Sequence, residues 1–336
     1  MRRVTIKDIA EYLTISVSTV SRALTDDKNI RIETKKRVQE AARILGYRPN
    51  PVATNLKYGR TNTVGVLVPE TVTPFASKVI NGIQEVLYKQ GIKVIIAESG
   101  ESWERERENL SVMEHFMVDG IIVCLSNYKK NKDEFLRLQN AGMPMVFYDR
   151  IPHDMDVSQV IVGDYIKTFF LIEHLIRKGC KRIAHIQGPD YVYNSIERTK
   201  GYRDALVKSK LDYDKNLIVT SGLHIEDGAT AIEELYRRGV EFDAIFAFTD
   251  TVAIGAMNKL RDLGVSMPQD VAIASFSGTV LSTIVHPRLT TVEPPLIQMG
   301  NEAAKLIMEK IKDPGSPVRS IVLDAKMQLR ESTDRI

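Results

Sequence analysis

From Thr5 to Leu45 the apolar residues recur at helical spacing in three short blocks with a few polar residues between them. Ile6, Ile9, Ala10 and Leu13 form the first stripe, with Thr5 placed to cap it. Val20, Ala23 and Leu24 form the second, behind a Ser16 cap. Val38, Ala41, Ala42 and Leu45 form the third, predicted over 33–45 and stopped at Gly46, where a left-handed cap costs little. The second block leaves Ser18, Thr19, Ser21 and Arg22 on its outer side. Two short helices joined by about three residues, then a third that braces them, make a helix-turn-helix unit.

Beyond it, Asn50 as a cap followed by Pro51 is a strong helix start, and Gly59 a reasonable stop. A helix of about eight residues is unstable alone in water, so this one orders only when something packs on it.

From Thr63 onward continuous apolar runs replace the stripes. Strands are predicted at Thr63–Val68, Lys93–Ala97, Gly120–Leu125, Met145–Tyr148, Arg182–Ile186, Ala244–Phe248 and Val271–Ser275. Amphipathic helices such as 75–90 and 165–178 lie between them. Apolar strands alternating with helices mean parallel sheets covered on both faces, hence an α/β core. The core divides into two such units near Val160–Gly163. The expected divisions are a headpiece at 1–48, a hinge at 49–60 and a core at 61–336. Within the core, 61–161 with 292–320 form one lobe and 162–291 with 321–336 the other.

Composition adds little until the charges are placed. The 43% hydrophobic and 26% charged content is that of a soluble globular protein. Residues 1–60 carry 13 Lys/Arg against 6 Asp/Glu, a net of +7, whereas the whole chain is only +3 and the remainder therefore −4. A basic arm on an acidic body suits a polyanionic partner for the arm alone. Basic residues open the chain with no apolar stretch behind them, which reads as no secretory signal and a cytoplasmic protein. No apolar run has a membrane span's length. Cys124 and Cys180, each in or beside an apolar segment, suggest neither a disulfide framework nor a zinc cluster. Val68-Pro69-Glu70-Thr71 follows the first strand where a phosphate loop would need glycines, and the six histidines are scattered. An enzyme is therefore not expected, and neither is a cofactor or a metal.

Thr5-Ile6-Lys7-Asp8-Ile9-Ala10, Val17-Ser18-Thr19-Val20-Ser21-Arg22-Ala23-Leu24 and Gly46-Tyr47-Arg48-Pro49-Asn50 closely resemble the LacI–GalR family of bacterial regulators. Core segments extend the resemblance in the right order. They include Val118-Asp119-Gly120-Ile121-Ile122, Asp149-Arg150, Gly188-Pro189, Arg198 with Gly201-Tyr202, and Asp250 with Ala253-Ile254-Gly255-Ala256. Pro287 with Leu289-Thr290-Thr291-Val292 closes the series. The resemblance implies a core like the periplasmic binding proteins, and a transcription regulator whose operator affinity is controlled by a small effector. It further implies a homodimer on a pseudo-palindromic duplex operator.

The matching positions carry specific expectations. Val17, Ser18 and Arg22 match the family's base readers; Arg22 suits guanine and Val17 a thymine methyl. Ser16, Thr19, Ser21, Thr34 and Tyr47 are candidates for phosphate contacts, and Thr5 and Asn50 are counted with them as helix caps on the DNA side. Leu56 matches a leucine that wedges into the minor groove, with Val52, Ala53 and Asn55 beside it. In the core, Phe75, Asp149 and Arg198 match effector-facing positions, and Thr249, Ser277 and Glu293 stand where the family commonly has an amide or a carboxylate. That unusual polar set points to a neutral or acidic sugar derivative. Thr14 and Arg31 also depart from the family, where Gly and Ser are common. The competing class is a solute-binding protein for carbohydrate uptake, which shares the two-lobed core; the headpiece decides against it.

Overall fold

The computed structural model describes residues 4–47 and 60–335. The chain divides into two compact units, with the boundary between Thr61 and Asn62.

The first unit is three helices, α1 (Ile6–Leu13), α2 (Val17–Leu24) and α3 (Ile32–Leu45). Their stripes meet in a small core of Ile9, Ala10, Val20, Ala23, Val38 and Ala41, with Leu13, Leu24, Leu45 and Tyr47 packed around it. Ser16 caps α2 by accepting from Thr19 N–H at 3.1 Å. At α1 the Asp8 carboxylate reaches back to the Thr5 N–H at 2.7 Å and hydroxyl at 2.6 Å. The turn after α1 places Thr14 in the left-handed region, at φ 55°. That geometry is why glycine suits the position. Arg31, at the cap of α3, supplies no side-chain hydrogen bond.

The second unit holds two six-stranded sheets. The first comprises β1 (Thr63–Val68), β2 (Lys93–Glu98), β3 (Gly120–Val123), β4 (Met145–Tyr148), β5 (Ser158–Val162) and β11 (Ser320–Leu323). Their order is β11-β5-β4-β3-β1-β2, and every pairing is parallel. The second comprises β6 (Ile183–Gln187), β7 (Ile218–Thr220), β8 (Ala244–Ala247), β9 (Ala272–Phe276), β10 (Thr290–Glu293) and β12 (Lys326–Gln328). Their order is β12-β10-β9-β8-β6-β7, parallel except for β10 with β12.

The helices between them are α4 (Pro74–Lys89), α5 (Trp103–His115), α6 (Tyr128–Asn140), α7 (Asp164–Arg177), α8 (Tyr193–Lys208), α9 (Ile225–Arg237), α10 (Asp250–Asp262), the short α11 (Leu281–Ile284) and α12 (Leu296–Lys312). Glycines let three helix pairs approach closely: α4 with α12, α7 with α8, and α9 with α10. A Cβ on Gly255 would lie 1.8 Å from the Ile225 carbonyl oxygen, and one on Gly228 2.0 Å from that of Val252. Among the described residues no helix is long and apolar enough to cross a membrane.

The lobe boundaries differ from those expected. The break expected near Val160–Gly163 overlaps the end of β5 (Ser158–Val162), a paired strand of the first sheet, and the crossing falls at Gly163. Thr290–Glu293 stays in the second sheet, so the return begins after 293 rather than at 292. Ser320–Leu323 pairs with β5, so the last crossing is at Asp324–Ala325, not after 320. Each shift has one cause. A strand's lobe is fixed by its partner, and that partner is more than a hundred residues away for β11.

Candidate functional site

In the first unit the expected base-reading residues all lie on α2. Val17, Ser18 and Arg22 are exposed there, while Thr19 and Ser21 are half-buried at its edge. The Arg22 guanidinium makes no hydrogen bond or ion pair among the described residues, whereas Lys35 is held by Asp26 and Arg43 by Glu40. The Ser16 hydroxyl sits 2.8 Å from both the Ser18 and the Thr19 hydroxyl. The start of α2 thus presents three clustered hydroxyls at the positive end of the helix dipole. Thr5 is exposed, Thr34 is half-buried on α3, and Tyr47 packs against the three-helix core. Asn50, Val52, Ala53, Asn55 and Leu56 lie outside the described residues.

In the second unit both sheets reverse strand order next to their first strand, between β1 and β3 in one lobe and β6 and β8 in the other. Parallel sheets bind ligands at such switch points, beyond the carboxyl ends of the strands. A cavity opens at that place between the lobes. The first lobe contributes Glu70, Phe75, Cys124 and Asp149; the second contributes Asn194, Arg198, Phe248, Thr249 and Ser277. Five of the six expected effector-facing residues therefore line one cavity.

Arg198 is its anchor. The side chain is buried, donates from Nε to Asp164 Oδ1 at 2.8 Å and from Nη1 to the Phe248 carbonyl at 2.7 Å. Its guanidinium lies 3.7 Å from the Phe276 ring centroid and 4.6 Å from that of Phe248. Nη2 has no partner among the described residues and is left to the cavity. Across the cleft Asp149 accepts from Asn194 Nδ2 at 3.2 Å. Burial pushes the Asp149 carboxyl above the usual range, while Arg198 and Arg150 pull it back. Asn194 is itself buried, and its Oδ1 has no hydrogen-bond partner among the described residues. Asp149 from the first lobe and Asn194 and Arg198 from the second thus bring a carboxyl, an amide and an arginine donor together around the cavity.

Charge is closely balanced. Arg150 donates to both Glu101 oxygens, at 2.8 and 2.9 Å, and Arg198 faces Asp164 and Asp149. Two cations meet three carboxylates, so no excess positive charge awaits a phosphate. Glu70 at the rim lies 3.9 Å from His224 of the opposite lobe. Backbone strain gathers here too: Glu101, Asp149 and Ser277 hold φ at 57°, 56° and 146°.

The loop bearing Ser277 is fixed from beneath. Asp250, fully buried at the start of α10, accepts from the Ser275 and Thr291 hydroxyls at Oδ1 and twice from Thr279 at Oδ2. Glu293 does not line the cavity. It ends β10, where Gln328 of the edge strand β12 donates to its carboxylate at 2.8 Å, and its backbone packs behind Gly278. Arg150, Asp164, Asn194 and Phe248 are additional wall or support residues. Asn194 stands one helical turn before Arg198, a spacing that puts both on one face and was legible beforehand.

Two family models match: "Bacterial regulatory proteins, lacI family" over residues 5–50, and "Periplasmic binding proteins and sugar binding domain of LacI family" over residues 61–331. The HTH-type transcriptional repressor PurR of Vibrio atlanticus (strain LGP32) is 30% identical over 309 residues, 92% of each chain. Catabolite control protein A of Priestia megaterium is 31% identical, covering 98% of this chain and 99% of its own. Among solved structures, the transcriptional regulator CelR–cellobiose complex superposes with a TM-score of 0.75 at 29% identity, over 98% of this chain and 100% of that one.

Proposed function

The chain belongs to the LacI family of bacterial regulators, as a DNA-binding transcriptional regulator and not an enzyme, and from that premise we propose a cytoplasmic repressor controlled by a neutral, hydroxyl-rich effector. The observation that carries the effector reading is the meeting of Arg198 and Asn194 of the second lobe with Asp149 of the first around one cavity. Hydroxyl groups both donate and accept, which suits this mixed set. The balanced charge disfavours a phosphate or carboxylate, and Phe75 and Phe248 offer apolar surface to a sugar ring. The similar CelR structure holds cellobiose, in keeping with a carbohydrate.

On the DNA side, a homodimer presents two α2 faces to a pseudo-palindromic operator. Val17, Ser18 and Arg22 read base edges, and the hydroxyls of Ser16, Thr19 and Ser21 hold phosphates. Residues 49–60 act as the hinge, with Leu56 as a minor-groove wedge. Effector changes operator affinity because it binds one arrangement of the lobes better than the other, and DNA reports that difference reciprocally.

Duplex binding by fluorescence anisotropy at several salt concentrations tests the first half. A steep negative slope of log affinity against log salt is expected, and Arg22→Ala loses about 1–3 kcal/mol on operator but little on random DNA. Absence of duplex binding defeats the reading. Thermal shifts of the full chain with neutral pentoses, hexoses and disaccharides, against sugar phosphates and sugar acids, test the second half. Stabilisation by a neutral sugar that Arg198→Ala abolishes is expected; stabilisation by sugar phosphates alone overturns it.

A further inference from the structure

Asp164 occupies a singular place. The strand β5 belongs to the first sheet, Gly163 is the crossing, and Asp164 is the first residue of α7, which packs on α8 of the second lobe. It is thus the first side chain after one of the three strands of chain that join the lobes; the others follow β10 and β11. Its carboxylate is buried and holds Arg198 Nε at 2.8 Å. Arg198 in turn reaches the end of β8 through the Phe248 carbonyl and lies over Phe276 at the end of β9.

We infer that Asp164 is a positioning residue that ties the cavity-facing guanidinium of Arg198 to the interlobe crossing, so that whatever engages Arg198 acts directly on the lobe hinge. The inference rests on reading this cavity as the effector site. Several facts favour a specific role over generic burial. Arg198 has three nitrogens, and the protein uses two of them, one on the crossing and one on the sheet end. The third faces the cavity. A ligand that pulls on Nη2 therefore loads the Asp164 contact through a rigid planar group. Burial and the charges around it also make Asp164 responsive. Desolvation pushes its carboxyl up to about 6, Arg198 opposes this, and Asp149 and Glu197 add to it. Tyr193, Glu197 and Arg198 from α8 and Asp149 from the end of β4 are the titratable and charged groups that act on it.

The link is testable on the full chain without any ligand, by hydrogen exchange over residues 160–166 and at the crossings near 293–296 and 323–326. Arg198→Ala and Asp164→Ala should each speed exchange there several-fold, and the double variant no more than either alone. Opening returns Asp164 to water and to its ordinary acidity. After correction for intrinsic rates, wild-type opening should therefore increase as pH rises from about 4 to 6, by up to about a hundredfold. Asp164→Asn keeps the acceptor, folds like the parent and should lose that pH dependence. Unchanged exchange at the crossings in Arg198→Ala, or a wild-type pH response in Asp164→Asn, overturns the inference. Failure of the effector reading shows elsewhere, as the absence of any Arg198-dependent thermal shift with sugars.

Discussion

Thr279 donates to Asp250 twice, from its backbone N–H at 2.6 Å and its hydroxyl at 2.9 Å, both to the same carboxylate oxygen. The other oxygen takes the Ser275 and Thr291 hydroxyls at 2.7 Å each. One buried carboxylate thus satisfies four donors and fixes the loop that carries Ser277 into the cavity.

Removing it leaves those donors unpaired in a dry site. Asp250→Ala should cost about 3 kcal/mol in urea unfolding of the core, and Asp250→Asn, which keeps one acceptor oxygen, less. An alanine variant within 1 kcal/mol of the parent contradicts this role.

Helices α9 and α10 touch through glycine, and a methyl group at position 255 has backbone in its way. Backbone cannot swing aside as a flexible side chain does. Gly255→Ala should therefore separate the helices and cost at least 1–3 kcal/mol, the usual range for overpacking. A melting temperature equal to that of the parent would show that the pair can slide apart freely.

Thr14 holds a left-handed conformation with a β-branched side chain. Thr14→Gly removes roughly 1 kcal/mol of strain at a small cost in unfolded-state entropy. Slower hydrogen exchange across α1 and α2 is the expected result, with the core unchanged.

His185 is buried against Phe246, its ring 4.7 Å away and nearly parallel. Desolvation pushes its pKa down to about 4, helped by the Arg198 cation and opposed by the Phe246 carbonyl. Between about pH 4 and 6.5 the unfolded chain binds the proton and the folded one does not. The stability His185 contributes is thus complete above 6.5 and is lost as pH falls, by on the order of 3 kcal/mol. Asp164 shifts the opposite way, so the difference between the parent and His185→Gln is the quantity to follow. That difference should change steadily from pH 6.5 down to 4; a constant offset would mean that His185 is not held neutral.

Elements whose information is local were legible in the amino-acid order alone. Periodicity placed the three headpiece helices, because a 3.6-residue stripe needs no distant partner to be recognised. Apolar runs placed β1, β4 and the body of β3, β6, β8 and β9, and the residue following β4 put Asp149 at a strand end, where parallel sheets bind ligands. The tertiary structure decided what depends on pairing across the chain. Ser158–Val162 joined the first sheet by pairing with β4, and Ser320–Leu323 by pairing with β5. Glu293, at a position suited to the cavity, was drawn away by Gln328 of an edge strand. Asp164 gained its meaning from Arg198, thirty-four residues on. Local spacing fixes which way a side chain points along its own element; only packing brings two elements together and so decides which charges meet.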